Sequence, residues 1–346
     1  MNIFLDESKC REQLFPFTLT KHTADIRVGI LTIREKWEAI TGQKVITLPE
    51  QKKDGDININ AHIIPTDTTA EIILQAAKDK TPLLETEEIK MLHHPWQIFE
   101  YNDWALRKDY DLVTAGRASR LIPGNNHCTQ PGKVFLEESA EVEHCFLNAS
   151  AGPIYVGKNA MIMEGSMIRG PFSAGEGAVI KMGSKIYGAT SVGPYCVAGG
   201  EIKNSVLFGY SNKAHDGYLG DSVIGEWCNL GAGTSNSNVK NTGGKVKYIV
   251  DKSRTEIYAG NKAGLLMGDY SRAAINTSFN TGTIVGVGCN IFSGMPGKYV
   301  NNFSWGNERY IFEKVLADIS NWKKMKGHSL SSKETALLQD LYSTNL

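Results

Sequence analysis

From Val156 to Ala198 every sixth residue is apolar: Val156, Ile162, Ile168, Ala174, Ile180, Ile186, Val192 and Ala198. Four positions after each stand Ala160, Ser166, Phe172, Ala178, Ser184, Thr190, Cys196 and Ile202, most of them small, and the position one after is often glycine, as at Gly157, Gly175, Gly193 and Gly199. No α-helix returns every sixth residue to one face, and a flat strand alternates instead. The period therefore predicts a solenoid of hexapeptide repeats. Each hexad supplies a short strand and a bend, with its aliphatic residue on the axis and its small residue under the turn. The comb starts earlier, at Leu136 and Val142, before two inserted residues break its phase. It returns at Met267, Ala273, Phe279, Val285 and Ile291, with Ser271, Thr277, Thr283 and Cys289 four residues on.

The chain of 346 residues is long enough for about two domains of roughly 100–200 residues. Before about residue 130 it reads as α/β material. "NIFL", "KVITL" and "DININAHII" are expected strands, and "ILTIREKWEAIT" is an expected helix with Ile30, Ile33, Trp37 and Ile40 on one face. "TDTTAEIILQAAKDK" is a second helix, which Pro65 and Thr66 can open. After the glycine-rich half, "ERYIFEKVLADISNWKKM" is helical again. The expected organisation is an α/β domain over 1–125, a parallel β-helix over 130–300 interrupted by a loop at 235–256, and a helical tail over 301–346.

Lysine plus arginine number 37 and aspartate plus glutamate 37, so no global field draws the chain to nucleic acid or an anionic membrane, and neither is expected as a partner. "MNIFLDESKC" lacks a basic flank and an apolar run, and no 18-residue apolar stretch occurs, which leads us to expect a soluble cytoplasmic protein. The six cysteines form no CxxC pair and read as small buried thiols of a reducing compartment. No metal is expected, because zinc sites on such solenoids gather three histidines and the main comb region holds only His215.

Periodicity by itself is also compatible with a plain scaffold, but two irregularities argue against one. The phase loosens between Asn204 and Ile224, and "SNSNVKNTGGKVKYIVDKSRTE" at 235–256 leaves the comb altogether. Loops that depart from a rigid solenoid are where binding groups are mounted. Inside the loosened stretch, "KAHDGYLGDSVIGEWCNLGAGT" carries His215 three residues before Tyr218 and fourteen before Asn229. Imidazole titrates near physiological pH, which suits a general base.

This stretch resembles the acetyltransferase half of the bifunctional N-acetylglucosamine-1-phosphate uridylyltransferase/glucosamine-1-phosphate N-acetyltransferase family, whose pattern K-x-x-H-x-x-Y-[LI]-G-D…N-[IVL]-G-A-G-T lies in a left-handed β-helix. The likeness continues upstream at "GGEIKNS". It implies that His215 is the catalytic base that takes a proton from an amino-sugar nitrogen. Lys203 falls on a lysine that grips the sugar phosphate, and Lys185 falls where the family has arginine, which keeps the charge but loses the planar fork. Tyr218, Asn229 and Asn238 match positions near the sugar. Ala232 and Gly233 match a backbone laid against acetyl-CoA, where N–H groups can face a developing oxyanion; turn geometry explains the same small residues. The resemblance further implies a homotrimer with acyl-CoA in the groove between neighbours.

The amino-terminal part is similar to a shortened, divergent Rossmann-type sugar nucleotidyltransferase. It lacks the glycine-rich loop whose backbone N–H groups cradle a nucleoside triphosphate in that class. "REQLFPFT" resembles the "RLxPLT" that follows such loops, with Arg11 and Lys21 nearby, and "ADIRVGILTIREKWE" places Asp25 and Arg27 before a helix. Asp25 and Arg27 suit either a sugar phosphate or magnesium, or simply a local cap and salt bridge. The leading expectation is acetyl-CoA-dependent N-acetylation of an amino-sugar 1-phosphate, glucosamine 1-phosphate first, in nucleotide-sugar synthesis. The alternatives are a sugar-1-phosphate nucleotidyltransferase of uridylyl or thymidylyl type, with Mg2+ needed only there and the β-helix trimerising or regulating, and a non-catalytic sugar-nucleotide-binding scaffold.

Overall fold

The computed structural model describes residues 2–251, 253–292 and 294–344. At the front, strand Ile3–Asp6 lies between Val45–Ile46 and Ile57–Asn60 in a parallel three-stranded sheet. Helix α1, Ile33–Thr41, starts later than the apolar pattern suggests because Thr32 and Glu35 close a reciprocal capping box. Ile30 therefore precedes the helix and packs with Leu106 and Ala189 instead. Helix α2, Ala70–Asp79, likewise begins after a turn in which the Thr66 and Thr69 hydroxyls bond each other at 2.9 Å. Two further helices, α3 (Gln97–Glu100) and α4 (Asn102–Thr114), follow.

From His127 onward the chain is a parallel β-solenoid with three faces. The first face is built from His127–Thr129, Phe146–Asn148, Met167–Arg169 and Lys185–Tyr187, and then from the leading halves of Glu201–Leu207 and Tyr218–Ile224. The second face runs from Val134–Leu136 to Tyr299–Val300, and the third from Glu141–Val142 to Ser304–Trp305. Ile154, Phe172 and Thr190 lie side by side, one full coil of three hexads apart. The comb residues are buried in one axial core, together with Cys145, Cys196, Cys228 and Cys289. Burial pushes the Cys196 and Cys289 thiols up to about 11.

The loosened phase has a geometric cause. Between the first and second faces, two successive coils turn on a single residue, Asn204 (φ 46°) and Asp221 (φ 47°). Such left-handed backbone is tolerated by Asn and Asp better than by other side chains. The shortened corners put Ser191 beside Val206 and Leu207 beside Ile224, so those coils are shorter than the regular repeat.

The expected loop at 235–256 has different bounds. Ser235–Asn236 still pairs with Ser278–Phe279, and the chain re-enters the solenoid at Leu265. The excursion over 237–264 is itself folded, with an antiparallel hairpin of Lys247–Ile249 and Glu256–Tyr258. Val246, Tyr248, Ala259 and Ala263 join the apolar core of the front domain, which also takes in Val206, Val223, Leu266 and Ile284 from the outside of the second face.

The helices α5 (Phe312–Met325) and α6 (Ser332–Thr344) pack at the corner between the second and third faces, on Trp227, Tyr270 and Phe303. Trp322 of α5 reaches onto the third face, 5.3 Å from the Arg272 guanidinium. With the second face under the front domain and the upper third face under these helices, the first face stays open. Among the described residues no helix is long and apolar enough to cross a membrane.

Candidate active site

Alternate residues of each first-face strand point outward. Strand register sets them in two columns: Phe146, Met167, Lys185, Glu201 and Tyr218 in one, Asn148, Arg169, Tyr187, Lys203 and Gly220 in the other. Lys185, Lys203 and Tyr218 thus fall on three consecutive rungs. Tyr187 donates to the Glu201 carboxylate at 2.6 Å, and the Lys203 ammonium stands 5.8 Å from the Tyr187 ring.

Tyr218 is held on three sides. A methyl on Gly220 would fall 2.3 Å from the Tyr218 hydroxyl, so the ring lies in space that only glycine leaves free. The hydroxyl accepts from Asn238 Nδ2 at 3.1 Å. Asn238 also donates to Asp221, whose other oxygen accepts from Asn204 Nδ2 at 2.7 Å. Burial, reinforced by the Asp221 charge, pushes the Tyr218 phenol up to about 12. It therefore stays protonated at neutral pH and keeps a proton to donate.

His215 sits exposed on the corner between the third and first faces. Its carbonyl accepts from the Lys213 ammonium, which also donates to Gly199 O at 3.1 Å. The corner packs closely on the next one: a methyl on Gly217 (φ 124°) would fall 2.1 Å from Thr234 O. Ala232 and Gly233 form that next corner. The Gly233 N–H donates to Asp216 O at 2.9 Å, and Ala232 O accepts from Asn276 N at 2.8 Å. The Gly233 N–H, expected from the sequence to face an oxyanion, is thus already engaged in supporting the His215 corner from the neighbouring coil.

Asn229 is not beside Tyr218. It belongs to the third face, next to Asn212 and Arg272, and accepts from Asn212 Nδ2 at 3.4 Å. The His215 corner lies between Asn229's face and the face of Lys185, Lys203 and Tyr218.

The four front-domain candidates each have a protein partner. Arg11 pairs with Glu7. Lys21 is buried against Asp269 at 2.7 Å and Glu226 at 3.3 Å, both on the solenoid. Asp25 accepts both prongs of Arg34, at 2.6 and 3.0 Å. Arg27 reaches Ile30 O and, at 3.4 Å, Glu35. Lys21, Asp25 and Arg27 share a cavity of about 450 Å3 at the seam with the solenoid, which Arg11 does not line. The "RVGIL" segment serves the same seam: Asn102 of α4 accepts from Gly29 N at 2.8 Å and from Ser191 Oγ at 3.0 Å, and donates to Ala189 O at 2.8 Å.

Sequence reasoning assigned no role to Asn204, Gly220, Asp221 or Asn236, although "YLGD" lies within the quoted motif. Asn236 bonds both backbone groups of Gly220, accepting at 2.9 Å and donating at 3.0 Å, which fixes the strand under Tyr218.

Fold and site define a hexapeptide-repeat solenoid with a histidine-bearing corner beside an open, cation-bearing face. A family model described as sugar nucleotidyl transferase matches residues 2–89. A bifunctional sugar-1-phosphate nucleotidylyltransferase/acetyltransferase of Sulfurisphaera tokodaii is 31% identical over 245 residues, covering 67% of this chain and 51% of that protein. The bifunctional protein GlmU of Methanocaldococcus jannaschii is 33% identical over 118 residues, covering 33% of this chain and 28% of that protein. A solved structure titled as an Arabidopsis UDP-N-acetylglucosamine acyltransferase aligns over 64% of this chain and 90% of that one, with 14% identity and a TM-score of 0.24. The chain is thus similar to GlmU-like bifunctional proteins at its front and along its solenoid, and spans at most about half the length of these two curated relatives.

Proposed function

We propose that the protein is an acetyl-CoA-dependent N-acetyltransferase acting on an amino-sugar 1-phosphate, with glucosamine 1-phosphate the first candidate. The observation that carries this reading is the exposed His215 corner adjoining the Asp221–Asn238–Tyr218 network and two lysines on the face that neither the front domain nor the terminal helices occupy among the described residues. Lys203 and Lys185 attract the phosphate dianion from adjacent rungs. Tyr218, rigid and protonated, orients the sugar by donating to one of its oxygens. His215 accepts the proton that the amine gives up as its nitrogen bonds to the acyl carbon and the carbon–sulfur bond breaks, then returns that proton to the leaving thiolate. Acetyl-CoA supplies the activated acyl group; in this reading it lies against the Ala232–Gly233 corner, in a groove completed by a second copy of the chain in a homotrimer. The test is thiol release from acetyl-CoA across amino-sugar phosphates. Wild type is expected to release thiol, and His215→Ala to lose at least a hundredfold in kcat, within the span that general base catalysis contributes. Equal rates in the two proteins would remove the reading.

A second reading rests on the match over residues 2–89: transfer of a nucleotidyl group to a sugar 1-phosphate by the front domain, with Mg2+ and a nucleoside triphosphate. It is tested by magnesium-dependent pyrophosphate release that falls in Arg11→Ala. No release in wild type would remove it.

A further inference from the structure

The open face continues beyond the lysines assigned to a sugar phosphate. Three rungs of it, carrying Phe146, Met167, Arg169, Lys185 and Tyr187, line a cavity of about 520 Å3, a volume in the range of small-molecule sites. Among the described residues Arg169, Lys185 and Lys203 form no ion pair. At the far end Phe146 is 51% and Met167 45% exposed, and the Phe146 ring is stacked on His127 with centroids 4.9 Å apart.

A sugar monophosphate leaves most of this unused. One dianion needs the two lysines and gives no reason for a planar guanidinium one rung further, or for an exposed ring and thioether beyond it. A second phosphate suits Arg169, whose fork binds phosphate oxygens in pairs, and a flat heterocycle suits the exposed face of Phe146 beside Met167. From the rung of Tyr218 to that of Phe146 are four strand spacings, about 19 Å at about 4.8 Å each. An extended sugar–pyrophosphate–nucleoside lies along such a track with its parts in this order.

We infer that the open face takes a nucleoside-diphosphate-linked amino sugar, with the sugar amine at His215, the pyrophosphate along Lys203, Lys185 and Arg169, and the base on Phe146 and Met167. The placement of the sugar rests on the acyl-transfer reading; the nucleotide end does not.

Binding is measured calorimetrically with uridine diphosphate and with inorganic pyrophosphate. Uridine diphosphate is expected to bind wild type at least tenfold more tightly than pyrophosphate. Phe146→Ala is expected to abolish that difference while retaining pyrophosphate binding, which also shows that the variant is folded. Arg169→Ala is expected to weaken both ligands at least tenfold. Equal affinities for the two ligands in wild type, or no binding of either, overturns the inference. So does a Phe146→Ala variant that changes the mass in solution and leaves the difference intact, since the patch then joins copies of the chain. Thiol release separates the two readings. No release with either glucosamine 1-phosphate or uridine-diphosphate glucosamine removes acyl transfer and leaves the nucleotide end to the binding data. Release with the monophosphate at an equal or higher kcat/KM overturns the present inference alone.

Discussion

Lys213 lies beneath the residue that matters most to the proposed chemistry, and burial lowers its ammonium from the ordinary 10.5 to about 8. Between those two values the unfolded chain binds the proton that the folded chain has released, so this site makes stability rise with pH from about 8 to 10.5. Urea unfolding at pH 7.5 and pH 10 checks it: Lys213→Met is expected to lose part of the wild-type rise, and identical slopes would contradict the assignment. Gly220 offers a second residue-scale test. Gly220→Ala displaces the Tyr218 ring, and the expected result is at least a tenfold rise in KM for the amino-sugar substrate with the fold retained by circular dichroism. An unchanged KM would show that the position of Tyr218 is immaterial. That His215 and Tyr218 stand on one corner and the strand next to it was legible in the sequence, because only three residues separate them. The placement of Asn229 was not: fourteen residues fall short of one full coil even after the local shortening, so Asn229 stops on the strand before the corner rather than on the face beyond it.

At the scale of elements, the hexad comb was legible because a narrow axial core admits side chains at one fixed interval, and every comb position proved buried. Helix α4 was not, because its inward face is partly polar. Asn102 and Asp109 are buried there to bind the 27–32 segment, Asp109 accepting from Ile30 N at 2.8 Å and Leu31 N at 3.0 Å while pairing with Lys36. That arrangement leaves no clear apolar stripe. Asn102→Ala strands the Gly29 N–H and the Ala189 carbonyl inside the seam, and each unsatisfied buried group costs about 1–3 kcal/mol. The expected loss for the two groups is therefore about 2–6 kcal/mol in urea unfolding, and a loss under about 0.5 kcal/mol would contradict it. The hairpin in the 237–264 excursion was hidden by its lysines, although Tyr248 between them is fully buried. Helix α6 docks through Glu334. Burial works against that carboxylate, but Lys323 and Ser331 hold it at about 2. Its contribution is present above the ordinary 4.5 and fades as pH falls toward 2, so the protection factors of α6 amides, corrected for the intrinsic pH dependence of exchange, are expected to fall over that range in wild type and less so in Glu334→Gln.

Over the whole molecule, the front domain packs on the second solenoid face and the terminal helices on the upper third face, away from the first face. The front domain is clamped to the solenoid by Asn102 and by Lys21, whose ammonium is held charged against the cost of burial by Asp269 and Glu226. Removing one member of such a buried group costs about 3–5 kcal/mol. Lys21→Met is therefore expected to lower the melting temperature by several degrees, and Lys21→Met with Asp269→Asn to recover part of the loss. Lys21 was expected from the sequence, with Arg11, Asp25 and Arg27, to meet a nucleotide; a lysine fits both duties, and only three-dimensional pairing shows what it touches. The most direct test of the central claim is a crystal structure with glucosamine 1-phosphate and coenzyme A. The account predicts the sugar nitrogen within hydrogen-bond reach of the His215 imidazole and the phosphate between Lys185 and Lys203. A sugar phosphate bound instead in the seam cavity of Lys21 and Arg27, with the His215 corner bare, would contradict it.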